Sequence, residues 1–398
     1  MTERLYYTEK TECEAKVLSL RNAERGYEVL LDRTVIFPEG GGQLSDTGFI
    51  GEARVLHASE DGDDIWHLTD KPVDEGRTVR VAVDTQERFD HSQQHTGEHI
   101  LSGLAKKMYG ALNVGFHMAK DYVTIDLDKA LTQEELEELE REANRAVQKC
   151  IPVTSRIVSE EELSSIPLRK RAEGLKGEIR IIEIADVDSC TCCGTHCLSS
   201  AQVGVVKITA FAKYKGGVRL WFACGMRAVE DYQKKQRITD ALAKRFSVKT
   251  EDIPDSIERR EQELNEVRRE LKSRTAKVVE YTAKEALMKA ESIGGIKLII
   301  YQSEEFNQSE LKLLSDNLIS AEKCIAMLFG TKGENIAYCI ACSDGIKHSM
   351  RDICDAVNAL LNGKGGGRPN FCQGSAPKKS GLDESLEQLE NYMKSMLR

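Results

Sequence analysis

No stretch of this 398-residue chain approaches the roughly 18 consecutive apolar residues that mark a membrane span. The N-terminal MTERLYYTEKTECEAKV likewise lacks the apolar run of a signal peptide. A cytoplasmic protein with no membrane partner is expected. An excess of positive charge is missing too: 56 Lys and Arg against 65 Asp and Glu leave a formal net charge of −9. That argues against a general nucleic-acid binder, because neutralising phosphates needs cations, but it leaves room for a local basic patch. Nor is the chain short enough to depend on disulfide staples; its length allows two or three domains with cores of their own. The 12 cysteines therefore need another explanation. In a reducing compartment, clustered cysteines point to metal binding or catalysis rather than to bridges. Those at 13, 150, 224, 324, 339, 342, 354 and 372 are dispersed and read as small buried hydrophobes.

The hydrophobic pattern sets the organisation. Residues 1–85 run as short apolar or alternating segments (AKVLSL, YEVLLD, DIWHL, TVRVAVD) between Gly and Asp clusters, which predicts a small β-barrel-like domain. Residues 86–227 combine a helix, a second helix opened by the Thr132/Glu135 capping box, and returning strands, the signature of an α+β domain. Residues 228–290 carry no strand signal, and Ile257, Leu264, Leu271 and Val278 recur every seven residues. That spacing predicts a helical linker with a short coiled-coil or helical-hairpin seam, the coiled coil joining two chains as a homodimer. Residues 291–398 alternate apolar runs such as CIAMLFG with helical stretches, the pattern of buried, parallel-type strands in an α/β domain. The fold class expected is α+β, closed by an α/β C-terminal domain.

Three separated motifs carry chemistry. In QERFDHSQQHTGEHILSGL, His91, His95 and His99 are each four apart, so a helix stacks their rings on one face. Two such imidazoles offer half of a tetrahedral zinc site. In DSCTCCGTHC, residues 188–197, Cys192 and His196 are also four apart and bracket Gly194 and Thr195, which supplies the other half. The alternative is a self-contained knuckle of Cys190, Cys192, Cys193 and Cys197, which leaves the histidine helix unexplained. The H-E-x-x-H order of a zinc protease is absent, since Thr96 follows His95. The third motif, PEGGGQLSDTG at residues 38–48, has Gly41 and Gly42 for close backbone approach and Gln43 with an amide for hydrogen bonding. Gly41, Gly42 and Gln43 are candidates to position a substrate ester; Thr47 is a weaker candidate for sensing its side chain. A basic glycine-rich loop, GKGGGRPNFCQGSAPKK at residues 363–379, holds Lys364, Gly365, Gly366, Gly367 and Arg368 without an acidic residue and could hold phosphate.

Together, PEGGGQ, HSQQHTGEHIL and CCGTHC resemble the editing domain of alanyl-tRNA synthetase and the free-standing AlaX trans-editing proteins. GKGGGRPNFCQGS is similar to the signature of the DHHA1 domain that ends that synthetase. With both the helical region and this C-terminal segment, the chain resembles the long AlaX form. Only 37 residues precede Pro38, which implies an editor without a class II aminoacylation domain. The D-H-H triplet of related phosphoesterases is replaced by Asp90-His91-Ser92. The resemblance implies hydrolysis of serine, and less readily glycine, wrongly esterified to alanine tRNA, with Zn2+ on His95, His99, Cys192 and His196. It departs at Cys193, where the synthetase has glycine. Two other classes stay open on the residues alone: a non-catalytic, zinc-containing tRNA-binding protein, and a zinc hydrolase of small esters or peptides.

Overall fold

The computed structural model describes residues 1–170, 178–332, 334–378 and 382–398. The chain divides into two compact units, Met1–Leu242 and Ala243–Arg398.

In the first unit, six antiparallel strands pair around a closed ring in the order Glu12–Ala23, Gly26–Leu31, Asp64–Thr69, Ala53–Asp61, Gly48–Ile50 and Thr78–Val83, the last pairing back with the first. Alternation drives this: in Asp64–Thr69 every second residue is buried, and the inward set, including Val29, Leu31, Ile50, Val55, Ile65 and Val81, fills the interior. Helix α1, Thr85–Tyr109, follows at once. Asp84 opens it by accepting from the backbone N–H groups of Gln86 and Glu87, and Gly110, at φ 65°, closes it. Helix α2, Gln133–Gln148, starts at the Thr132/Glu135 capping box. Both helices share a core with the sheet of Asn113–Met118, Val123–Leu127, Val206–Tyr214 and Gly217–Cys224. A three-stranded sheet, Val153–Val158, Ile179–Ile184 and Asp188–Thr191, delivers the cysteine-rich segment. The short α3, Glu160–Ser165, and α4, Gly225–Phe246, complete the helices up to the second unit.

The second unit begins with α5, Ile253–Lys289. Its six-stranded sheet has the order Glu291–Ile293, Ile296–Ser303, Cys324–Gly330, Asn335–Cys342, Phe371–Pro377, Lys364–Arg368. Here the expectation of parallel-type strands fails: Ile296–Ser303 with Cys324–Gly330 is the only parallel pair among them. The apolar runs have another cause. Helices cover both faces of the sheet, α5 with α6 (Gln308–Ala321) on one and α7 (Met350–Leu361) with α8 (Leu382–Leu397) on the other, so Cys324–Gly330 is buried at every residue although a short hairpin joins it antiparallel to its neighbour.

The glycine-rich run expected as a loop is likewise a hairpin, Lys364–Arg368 against Phe371–Pro377, with Lys379 outside the described residues. Residues 228–290 lie on the two helices α4 and α5, with the turn Thr250–Asp252 between them in sequence. On α5, Val279, Ala283 and Leu287 pack into their own unit, whereas the seven-spaced Ile257, Leu264, Leu271 and Val278 are 39%, 49%, 63% and 47% exposed.

Candidate metal centre

Helix α1 is buried yet polar. Ser92, Gln93, Gln94, His95, Thr96, Glu98, His99 and Ser102 are all under 8% exposed, which a helix meant only for packing would not tolerate. Each finds a partner. Gln94, for one, accepts from the Cys224 N–H at 2.8 Å and donates to the Cys224 carbonyl at 3.1 Å, pairing with the strand as backbone would.

The stacked histidines meet the cysteine-rich segment at one point. One nitrogen each of His95, His99 and His196, with Cys192 Sγ, all lie within 4.8 Å of one another. Cys192 Sγ is 3.4 Å from His95 Nε2 and 3.3 Å from His196 Nε2. Bonds of about 2.3 Å from zinc to sulfur and about 2.05 Å to nitrogen, at the tetrahedral angle, place the two donors about 3.6 Å apart. The donor set therefore fits zinc before any ion enters. Each ring also has a partner in the protein: His95 Nδ1 lies 2.7 Å from Gln43 Oε1, His196 Nδ1 3.3 Å from Thr96 Oγ1, and His99 Nδ1 2.9 Å from Asp188 Oδ2. Burial pushes the His196 imidazole down to about 3. Burial opposes ionisation of Cys192, but His95 and His196 outweigh it and hold the thiol well below its usual range. A neutral imidazole and a ready thiolate are the forms a metal takes.

The other cysteines lie elsewhere, and the all-cysteine knuckle does not assemble: neither of the two donor clusters among the described residues contains more than one cysteine. Cys190 Sγ sits 3.6 Å from His99 Nδ1. Cys197 is buried, with its thiol pushed up to about 12 by desolvation. Cys193 is exposed beside Gly41.

The glycine-rich motif is a tight turn. Gly40 and Gln43 exchange backbone hydrogen bonds at 3.1 and 3.0 Å, with Gly41 and Gly42 between them at φ 60° and 85°, the two-residue hairpin turn that demands positive φ at both positions. The turn is pinned from two sides. Gly42 accepts from the Met118 N–H at 2.8 Å, and Asp46, paired with Arg88 of α1, accepts from the Phe37 N–H at 2.7 Å. It delivers Gln43 into the interior, 1% exposed. There the amide oxygen takes His95 Nδ1 and the Thr195 N–H, and the amide nitrogen donates to Thr195 Oγ1 at 2.9 Å. Gln43 is thus engaged by the protein rather than turned to solvent, while Gly41 and Gly42 stay exposed. Gly194 leaves the gap for this contact: a Cβ there would stand 2.1 Å from His95 Cε1 and 2.7 Å from Gln43 Oε1.

Thr47 donates to Glu87 and lines a cavity of about 1070 Å³ that also includes His57, Phe89, His91, Tyr122 and Trp221. None of the four clustered donors lines that cavity. His91 is 2% exposed and its Nδ1 has no hydrogen-bond partner; it is not among the clustered donors. In the second unit, Lys364, Gly365, Gly366, Gly367 and Arg368 form an exposed edge strand. Gly365 and Gly374 make room for the Tyr338 hydroxyl, which lies 2.1 Å from where either Cβ would stand. Gly366 faces open space.

Thr96, Thr195, Glu98 and Asp188 escaped the sequence reading. Thr195 lies inside the C-C-G-T-H spacing, and Asp188 two residues before Cys190 in an alternating strand, so each carried a faint positional signal.

The chain is similar to known proteins over nearly its whole length. The alanyl-tRNA editing protein AlaX-L of Pyrococcus horikoshii is 31% identical over 99% of this chain and 100% of its own length. The chain belongs to the alanyl-tRNA editing protein family. An alanyl-tRNA editing protein of Xenopus laevis is 29% identical over 98% of this chain and 95% of its own length. The threonyl and alanyl tRNA synthetase second additional domain matches residues 179–238, and the DHHA1 domain matches residues 295–395. Among solved structures, the C-Ala domain of Aquifex aeolicus alanyl-tRNA synthetase is similar over 27% of this chain and 99% of that chain, at 28% identity and a TM-score of 0.25. No helix among the described residues is long and apolar enough to cross a membrane.

Proposed function

We propose that this editing protein hydrolyses the ester joining a wrong amino acid, serine foremost, to the 3′-terminal ribose of alanine tRNA, at a zinc centre held by His95, His99, Cys192 and His196. The observation that carries it is the convergence of those four donors, with each histidine ring already partnered within the protein, in a chain similar to editing proteins over its full length. Zinc there supplies positive charge to polarise the ester carbonyl or to anchor the amino group of the substrate.

The protein's own residues do the rest. Gln43 keeps His95 in place and Thr96 keeps His196 in place. His95 and His99 are buried, whereas Cys192 and His196 are half-buried, so the substrate approaches over the cysteine side. There the exposed backbone of Gly41 and Gly42 is available to position the ester. Aromatic Phe89, Tyr122 and Trp221 in the neighbouring cavity offer faces on which unpaired bases of a tRNA end stack. Discrimination against alanine follows from polar groups that pair a serine hydroxyl and are left unpaired without it.

In the second unit, Lys364 and Arg368 on the exposed hairpin strand contact tRNA phosphate. Two copies pair through the exposed stripe of Ile257, Leu264, Leu271 and Val278; sedimentation at the monomer mass would remove that dimer. The test of the function is deacylation of purified seryl-tRNA and alanyl-tRNA, both of the alanine type. Serine should be released and alanine spared. Equal rates would sink the editing role, and no release from either would favour a non-catalytic tRNA binder.

A further inference from the structure

Beneath the metal centre lies a set of buried charges. Asp188 Oδ2, 2.9 Å from His99 Nδ1, belongs to a carboxylate whose Oδ1 accepts Arg169 Nε at 2.6 Å, while Arg169 Nη2 reaches Oδ2 at 3.1 Å. Arg169 is anchored in turn: its backbone N–H donates to the Ser189 carbonyl at 2.7 Å, and Nη2 lies 3.5 Å from Cys190 Sγ. Beyond it, 3.7 Å from Nη2, Glu98 Oε1 accepts from Ser102 Oγ at 2.5 Å and Asn113 Nδ2 at 2.6 Å. The side chains of His99, Asp188, Arg169 and Glu98 are 2%, 0%, 6% and 5% exposed. Charges so placed cost several kcal/mol each to desolvate, and apolar residues of similar volume would fold as well or better. Stability alone does not account for them.

We propose that Asp188, fixed by the fork of Arg169, is the positioning residue for His99. The carboxylate accepts a hydrogen bond from Nδ1–H, which keeps the ring proton there and leaves the lone pair at Nε2. It also sets the plane of the ring, since the two-pronged guanidinium contact leaves Asp188 no freedom to swing. The same fork answers a second question. His99, Asp188 and Cys190 form a donor cluster of their own, which would compete for the ion. The guanidinium, bound to Asp188 and within reach of Cys190, already fills that cluster with a cation. A metal is thereby directed to the side of His95, Cys192 and His196. This inference rests on the zinc reading proposed above, and concerns residues that would not touch the ion.

The test is zinc affinity of the whole chain, stripped and reloaded, by competition with a chromophoric chelator, with the cobalt-substituted absorption spectrum as a second readout. Loss of a metal ligand's hydrogen-bond partner weakens binding about 10–100-fold, and Asp188→Asn should fall in that range with a shifted cobalt spectrum. Arg169→Gln should lose less, because the carboxylate remains. Asp126→Asn removes a carboxylate paired with Arg219 elsewhere in the same unit and should keep full affinity. Asp188→Asn leaves Arg169 buried without its partner; if it fails to fold, Asp188→Asn with Arg169→Gln replaces both charges by amides and is read instead. Wild type that binds zinc tightly while the folded Asp188 variants do so within twofold would overturn the positioning role. Failure of the double variant to fold would overturn it too, since the pair would then serve the fold. A wild type that binds no zinc would remove the metal reading and this inference with it.

Discussion

Replacing Gly194 by alanine puts one methyl group where the centre is closed. The new Cβ would lie 2.1 Å from His95 Cε1, 2.2 Å from His95 Nδ1 and 2.7 Å from Gln43 Oε1, against 3.4–4 Å for ordinary contact. The His95 ring must therefore retreat by more than an ångström. Its helix cannot carry it away: at Gly97 and Gly103, α1 runs so close to Cys224 and Val187 that a Cβ would meet them at 2.2 Å. The ring has to turn instead, giving up its bond to Gln43 and its place among the donors. Overpacking costs about 1–3 kcal/mol, and the lost hydrogen bond about 1 kcal/mol more. Spread over a unit of 242 residues, a loss of that size lowers the melting temperature by on the order of 5–10 °C. Zinc affinity should drop by at least the roughly 10–100-fold that follows from disturbing a ligand's support. Chelator competition and calorimetry measure both. Gly366→Ala is the comparison, since nothing lies within 4 Å of a Cβ there. A Gly194→Ala protein with native zinc affinity and melting temperature would refute the contact between Gln43 and His95 as the keystone of the site.

Two further outcomes follow from other parts of the molecule. His67, fully buried in the strand ring, lies 3.1 Å by Nδ1 from the Val29 carbonyl and 2.9 Å by Nε2 from Thr34 Oγ1, and burial pushes its imidazole from 6.5 down to about 4. The unfolded chain then binds a proton that the folded one refuses, so stability falls as pH drops from 6.5 towards 4, by up to about 3 kcal/mol. Urea unfolding at pH 7 and pH 4.5 should show a smaller difference in His67→Gln than in wild type; an unchanged difference would rule His67 out as its source. Replacing Lys364 and Arg368 together by alanine should weaken tRNA binding and lower the slope of log affinity against log salt by about 2. Unchanged affinity and slope would mean that the hairpin does not touch phosphate.

What the sequence made legible was periodic. His95 and His99 are four apart on a helix whose start Asp84 fixes, and the spacing alone puts their rings on one face. Cys192 and His196 repeat the interval in an irregular segment, and the two pairs do converge. The capping box at Thr132 was readable for the same reason, being a local pattern. Strand direction was not, because apolar runs report burial on two faces, and helices on both sides produce that for antiparallel strands as well as for parallel ones. The glycine-rich run near the C-terminus misled in the opposite sense. Glycine signals turns, yet at Gly365 it marks a strand that passes close over Tyr338. Arg169 was invisible altogether, for it lies 19 residues before Asp188 in chain order, and the contact is made only by the tertiary fold.

Gln43 shows why motifs that are weak singly become diagnostic together. By itself PEGGGQ is a turn signal, and its amide looked available to a substrate. In the structure both ends of that amide are taken, by His95 from the helix motif and by Thr195 from the cysteine motif. The glycines before it are needed for the turn that buries it, and Gly194 for the gap it enters. Each motif thus supplies one side of a single contact, and a Cβ at Gly194 would stand 2.1 Å from His95 Cε1 and 2.7 Å from Gln43 Oε1. A chain that kept the histidines but lost the turn would leave His95 Nδ1 buried without an acceptor, and a chain that kept the turn but lost Gly194 would have no place for Gln43. The side chains of Gln43, His95 and Thr195 thus meet at one contact although 152 positions separate the first from the last.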